Sequence, residues 1–280
     1  MTLSLGKARS AMAVPPADDE PRFRLPKISR RVLANVFLPI SFVLFLLLVW
    51  QISTQAFHIP PYILPSPSAF LSVLVQRSDV LLMMAKQTAE ATLMGFAVGV
   101  TVGLAIGGLM GSSRVMYDMI YPSLIGVHAV PSVALIPVFI VWVGIGPQIA
   151  VITGAIASFF PVTVIVASAI AASSPELDDV LRSLGARKID VLLKVSIPQA
   201  LPQFFGSIKL AISGAFIGTI VAEIVAGSVG IGHVMVIATN NMDGPLAYAG
   251  LTILATMGVT LYLIAVLIEK RMTGWAYRRN

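Results

Sequence analysis

The chain has 280 residues, of which 57% are hydrophobic and 11% are charged, and its mean hydropathy is +0.90. Soluble domains carry about 45–50% apolar and about 25% charged residues, so this composition excludes an ordinary soluble domain, and the hydrophobicity excludes disorder over most of the length. The absence of cysteine excludes disulfides, thiolate metal sites and cysteine nucleophiles. These observations leave an all-α polytopic membrane protein.

The N-terminal segment is polar and basic. Residues 1–31 are predicted to be a disordered cytoplasmic tail, and residues 32–280 are predicted to form the transmembrane domain. The first apolar run starts near residue 32 and lacks a small-residue cleavage site, so we expect an uncleaved anchor and no cleavable signal peptide.

Long stretches without charged residues predict the membrane spans. A spanning helix needs about 20 apolar residues. Six segments meet this requirement, roughly 33–53, 89–111, 119–144, 148–171, 206–226 and 245–268.

The distribution of basic residues predicts the orientation of these spans. If the N-terminus is cytoplasmic, 17 of the 19 lysine and arginine residues lie inside, and only Arg77 and Lys86 lie outside. Cytoplasmic loops carry such an excess, so we expect both termini in the cytoplasm. The net charge of +6 therefore reflects topology and does not indicate nucleic-acid binding.

The second span contains glycine at every fourth position, which aligns these residues on one helix face. They include Gly95, Gly99, Gly103 and Gly107. Such a smooth face lets a neighbouring helix approach closely, so this pattern favours helix packing over a pore lining.

Three residues inside the spans are candidates for a pathway or gate. His128 lies in a proline-rich part of span three, near its expected cytoplasmic end, and is alternatively a hydrogen-bonded interfacial residue. Glu223 is the only carboxylate late in span five, and either lines the route or reaches the outer interface. Ser213, also in span five, is the third candidate.

The loop after span four is predicted to contain a short amphipathic helix within residues 175–190. Ser174 can cap this helix, and Gly185 can terminate it. Its apolar face is formed by Leu177, Val180, Leu181 and Leu184. This face must pack on a partner groove, on the chain's own bundle or on lipid headgroups.

The spacing after this helix resembles the EAA loop of permease subunits of ATP-binding-cassette (ABC) importers. Asp179 is followed six residues later by Gly185, and after nine more residues by Val195-Ser196-Ile197-Pro198. The acidic start is aspartate instead of glutamate, and Val180-Leu181 replace the two alanines of the family pattern. The resemblance assigns ATPase coupling to Glu176, Asp179, Leu181, Leu184, Gly185, Ala186, Ile197 and Pro198.

Further segments are similar to one branch of these permeases, which handles nitrate, sulfonates, taurine and bicarbonate. Members of this branch also move thiamine or riboflavin precursors and aromatic carboxylates. The similar segments are 63–68, 129–137, 142–146, 221–224 and 230–232, together with the glycine-rich second span.

The resemblance implies a MetI-like bundle of six transmembrane helices with a cytoplasmic coupling helix, in the bacterial cytoplasmic membrane. It implies a passage for a small anionic solute such as a sulfonate, nitrate or bicarbonate. The expected partners are two ATPase subunits, a second permease copy and an extracytoplasmic solute-binding protein. The sequence has no G-x-x-x-x-G-K-[ST] motif, so ATP hydrolysis is expected in a partner, with no catalytic residue, metal or cofactor in this chain.

Two alternatives belong to other functional classes. An ion-coupled secondary transporter would use Glu223, but such folds usually carry several intramembrane charges and often an inverted repeat, which is not visible here. An intramembrane serine protease would need Ser213 beside His128 or His233, which are expected near opposite membrane faces.

Overall fold

The computed structural model describes residues 30–172, 180–181 and 183–274, with side chains from Phe37 onward except that of Lys188. The chain divides into two units, 1–49 and 50–280. The described part of the first unit is the start of helix α1 (Arg30–Ala56), which continues into the second. The predicted tail, residues 1–31, lies almost entirely outside the described residues.

The described residues of the second unit are helical, apart from turns and short connections. Its helices after α1 are α2 (Pro67–Gln76), α3 (Ser78–Ser112), α4 (Arg114–His128), α5 (Ser132–Val143), α6 (Pro147–Ala171), α7 (Lys188–Val191), α8 (Ile197–Ala226), α9 (Ile231–Asn240) and α10 (Gly244–Thr273). A π-helical turn, Leu192–Ser196, joins α7 to α8.

Among the described residues, five helices are long and apolar enough to cross a membrane, namely α1, α3, α6, α8 with its preceding turns, and α10. The bent pair α4–α5 counts as a sixth if it crosses as one broken span, and the predicted all-α membrane fold is confirmed. The boundaries differ clearly for α3, which begins at Ser78 and not near residue 89. Charged residues end the apolar stretch without ending the helix, since Lys86 and Glu90 form an exposed i,i+4 ion pair there.

Helix α6 lies between α3 and α8 and forms the centre of the bundle. The glycine face of α3 is buried against α6, and at Gly107 an added Cβ would lie 2.7 Å from the carbonyl oxygen of Thr163. On the opposite side of α6, an added Cβ at Gly214 of α8 would lie 2.8 Å from the carbonyl oxygen of Ala157. Both contacts bring two backbones close together, as small residues permit in membrane bundles.

The third span is broken and does not form one continuous helix. Helices α4 and α5 meet at 92°. Pro122 and Pro137 lie inside the two helices, whereas Pro131 occupies the N-cap of α5. A residue before proline disfavours the helical conformation, so α4 ends before Val130 and the chain changes direction.

Two ten-residue helices, α2 and α9, were not predicted, because each is too short to span a bilayer. They pack with α10 around a cluster that includes Phe70, Ile231 and Leu246. Beside this cluster, the ring of Trp50 lies 5.6 Å from that of Phe70 and 5.7 Å from that of Tyr248. Both short helices connect spans whose ends lie on the same side of the bundle.

Candidate functional site

Glu223 lies in the last turn of α8 and is 3% exposed. Its Oε2 accepts hydrogen bonds from the backbone N–H of Gly232 at 2.9 Å and from the hydroxyl of Thr88 at 3.0 Å. Thr88, fully buried on α3, in turn accepts a hydrogen bond from the backbone N–H of Ile231 at 2.9 Å. The carboxylate is therefore enclosed by three helices, α3, α8 and α9.

This arrangement caps the N-terminus of α9 with side chains from two other helices. The first N–H groups of a helix lack intrahelical partners, and the helix dipole favours a carboxylate beside them. Space is tight, since an added Cβ at Gly232 would lie 2.8 Å from the Cβ of Glu223. The neighbouring Gly230 has a φ of +100°, which side chains rarely adopt.

His128 lies at the end of α4, where its ring stacks on that of Phe160, with centroids 3.6 Å apart and planes 2° apart. Phe160 lies near the middle of α6. The expectation that His128 lies near the cytoplasmic end of its span is therefore wrong. The reason is that α4 is helical from Arg114 onward, and its 15 residues rise about 22 Å before reaching His128.

A cavity of about 390 Å³ opens at the α4–α5 break, next to this stacked pair. Its lining is mostly apolar and aromatic, and its polar side chains are Ser123, His128 and Ser132. The sequence analysis did not single out the two serines, although Ser132 lies in the 129–137 segment that is similar to the permease branch. The sequence feature that could have indicated this cavity is the set of prolines in the span, because prolines bend a helix.

Ser213 lies on α8 at a separate groove of about 310 Å³ between α8 and α10. Neither Ser213 nor Glu223 lines the cavity beside His128, so the three candidates are not brought together. Within the described residues, no group of three or more His, Asp or Glu side chains could hold a metal ion.

The cytoplasmic segment is described only from Val180 onward. Glu176 and Asp179 lie outside the described residues, as do residue 182 and the rest of 173–179. The backbone is helical at residues 180, 181 and 183, and the N–H of Ala186 donates to the carbonyl of Leu181 at 3.0 Å. Gly185 has a φ of +86° and produces a turn, so the predicted helix does not run unbroken to residue 190.

The remaining residues of the predicted coupling set lie where this turn leads into the bundle. Leu184 is 80% exposed, and Ala186 follows the turn. Ile197 and Pro198 begin α8, and the π-helical turn precedes them.

Comparison with known proteins places this architecture in a family. Residues 99–274 match the model of the family described as binding-protein-dependent transport system inner membrane component. A probable ABC transporter permease protein of Haemophilus influenzae is 30% identical over 80% of this chain and 91% of its own length. The riboflavin transport system permease protein RibX of Chloroflexus aurantiacus is 32% identical over 85% of this chain and 89% of its own length. Other relatives are named for formylaminopyrimidine, aliphatic sulfonates and taurine.

The fold also matches a solved structure. An inward-facing structure of the MetNI methionine ABC transporter superposes with a TM-score of 0.62 at 18% identity, covering 71% of this chain and 98% of the matched chain. The chain therefore belongs to the family of binding-protein-dependent transport system inner membrane components, and it is an ABC transporter permease and not an enzyme.

Proposed function

We propose that the chain forms the passage of an ATP-driven importer in the bacterial inner membrane. Two copies pair, two ATPase subunits dock on the cytoplasmic segments at 175–190, and an extracytoplasmic binding protein delivers the solute. Both termini lie in the cytoplasm. The observation that carries this proposal is the family match over 99–274, which includes the cytoplasmic segment and most of the α3–α6–α8 core.

The exposure of the cytoplasmic segment supports a docking role. Val180 is 56% exposed, Leu184 is 80% exposed, and Ile189, just beyond the turn, is 53% exposed. The bundle leaves these apolar side chains uncovered. Such side chains on an amphipathic segment can pack into a groove of a partner subunit. Closure of two ATPase subunits would move these segments as rigid bodies and switch the bundle between inward- and outward-facing states.

The transported solute is proposed to be small. The relatives named for sulfonates and taurine support the small anion expected from the sequence. The relatives named for riboflavin and formylaminopyrimidine support a heterocycle instead.

Gly185 provides the test of the coupling segment. An added Cβ would meet nothing within 4 Å, so a substitution there acts only through the backbone, whose φ is +86°. In the Gly185→Val variant we expect ATPase subunits to copurify about tenfold less, because this conformation costs an ordinary side chain about 1–2 kcal/mol. Membrane insertion should stay unchanged.

Gly185→Asn is the matched control, because asparagine tolerates a positive φ. The tagged chain is purified in mild detergent after crosslinking in membranes, and copurifying proteins are identified by mass spectrometry. Recovery of the unaltered chain without an ATPase subunit would overturn the proposed function. Equal ATPase recovery with Gly185→Val would reject the docking role of this segment but would leave the importer function standing.

A further inference from the structure

The cavity at the α4–α5 break lies at a position where membrane transporters often bind their cargo. The helix is interrupted at residues 129–131, beside the middle of α6. Because α6 has 25 residues, about 37 Å of helix, its middle lies near the centre of a bilayer core of about 30 Å. Broken backbone at that depth is tolerated where it is buried in protein or lines a cavity.

The size of the cavity suits a small organic molecule. Its volume of about 390 Å³ lies within the usual range of about 300–1,000 Å³ for ligand sites. Such sites combine an apolar lining with a few polar groups, as found here.

The chemistry of the lining distinguishes between classes of solute. The rings of His128 and Phe160 stack face to face, so the outer face of this pair is the aromatic surface open to a solute, and Phe159 also lines the space. None of the described residues lining the cavity is lysine or arginine. A small inorganic anion would therefore meet only the N-terminus of α5 and His128, which offset its lost hydration less than a lysine or arginine would.

We propose that this cavity binds the transported solute and that the solute carries a planar ring. The ring stacks on the aromatic surface formed by His128 and Phe160, and its polar substituents exchange hydrogen bonds with His128, Ser123 or Ser132. This inference rests on the proposed import function and specifies its substrate class.

The lack of cysteine in the chain permits a direct test by site-specific labelling. A Ser132→Cys variant carries one thiol at the cavity, and a Ser213→Cys variant carries one in the separate groove between α8 and α10. The complete importer, with its copurifying partners, is reconstituted in proteoliposomes. The rate of maleimide labelling of the permease is measured with riboflavin, thiamine, benzoate, taurine or nitrate.

We expect at least one ring-bearing probe to slow labelling of the Ser132→Cys variant about tenfold, the effect of roughly 90% site occupancy. Taurine and nitrate should have no effect, and the Ser213→Cys variant should label equally with every probe. Protection by taurine or nitrate would overturn the proposal. So would the absence of protection by all five probes.

Transport kinetics provide the second measurement. Uptake of the protecting probe should fall about two- to twelvefold in the His128→Ala and Phe160→Leu variants, since stacking contributes about 0.5–1.5 kcal/mol beyond burial. The affinity of the isolated binding protein should stay unchanged. His233→Ala, on α9, and Phe45→Leu, on α1, are the matched controls.

These outcomes separate the inference from the function on which it rests. If the complex assembles and imports solute but the His128 and Phe160 variants transport normally, the cavity is not the solute site and the importer function stands. If no ATPase subunit is recovered, the importer function itself fails.

Discussion

At the residue scale, the carboxylate of Glu223 connects three helices through buried hydrogen bonds. Its Oε2 is bound by Thr88 of α3 and by the N–H of Gly232 in α9. A buried polar group left without a partner costs about 1–3 kcal/mol. Glu223 therefore links the start of α9 to the bundle, and we expect this structural link, not a pathway role, to explain an ionisable residue inside a span.

Substitutions at Glu223 distinguish this structural role from ion coupling. Glu223→Gln keeps an oxygen that accepts the N–H of Gly232, so we expect near-normal uptake and a small loss of stability. Glu223→Ala leaves the N–H of Gly232 unpaired, whereas the hydroxyl of Thr88 can still donate to the carbonyl of Met84 at 3.3 Å; the thermal midpoint of the detergent-solubilised permease should fall by several degrees. Glu90→Gln, an exposed carboxylate on α3, is the control.

Stability is measured by fluorescence-detected thermal unfolding, and transport is measured as uptake by proteoliposomes. An ion-coupled transporter would behave differently: Glu223→Gln would fold normally and lose uptake. That result would revive the secondary-transporter alternative.

At the element scale, backbone contacts hold α6 between its two neighbours. The glycines of α3 present no side chain to α6 at the first interface. Gly214 and Gly218 of α8 do the same at the second interface, between α8 and α6. Farther along, Lys209 of α8 and Glu269 of α10 form an ion pair of 2.6 Å with both side chains largely buried. Van der Waals packing and a few polar links thus replace the hydrophobic effect, which does not drive helices together in lipid.

Two adjacent glycines of α3 allow a matched test of this packing. Gly107 faces the backbone of α6, whereas an added Cβ at Gly108 would meet nothing within 4 Å. We expect Gly107→Val to destabilise the permease by about 1–3 kcal/mol through overpacking, and Gly108→Val to change stability little.

Thermal unfolding in detergent and the yield of monodisperse protein are compared for the two variants. Because both introduce the same side chain into the same helix, differences in helix propensity or hydrophobicity cancel. Equal destabilisation would contradict the assignment of this face to helix packing.

At the scale of the whole molecule, the arrangement of spans and the basic residues together predict an orientation. The first turns of α6 pack with the end of α8, in a cluster that includes Ile149 and Ala226. The other end of α6, at Ala171, leads into the basic cytoplasmic segment. The excess of lysine and arginine therefore predicts that this end of the bundle lies inside the cell.

Labelling from outside the cell tests this orientation. Ala172 and Asn241 are both exposed, at opposite ends of the bundle, and the chain has no cysteine of its own. A membrane-impermeant maleimide should label the Asn241→Cys variant in intact spheroplasts and the Ala172→Cys variant only after lysis. The reverse pattern would invert the topology and remove the cytoplasmic segment from ATPase contact.

Sequence by itself determined the class of this protein, its spans and its family. Lipid cannot hydrogen-bond a backbone, so spanning segments must be long apolar helices, and hydropathy reveals them without any knowledge of contacts. The spacing from Asp179 through Gly185 to Pro198 is a local pattern and was readable in the same way.

Only the tertiary structure decided what the polar residues inside the spans do. Thr88 and Glu223 are 135 positions apart, and nothing local pairs them. The position of His128 beside the middle of α6 depends on α4 remaining helical through Pro122 and on the chain bending only at Pro131. Side-chain partners and cavities arise from contacts between distant segments, and the local periodicity that identifies a helix carries no information about them.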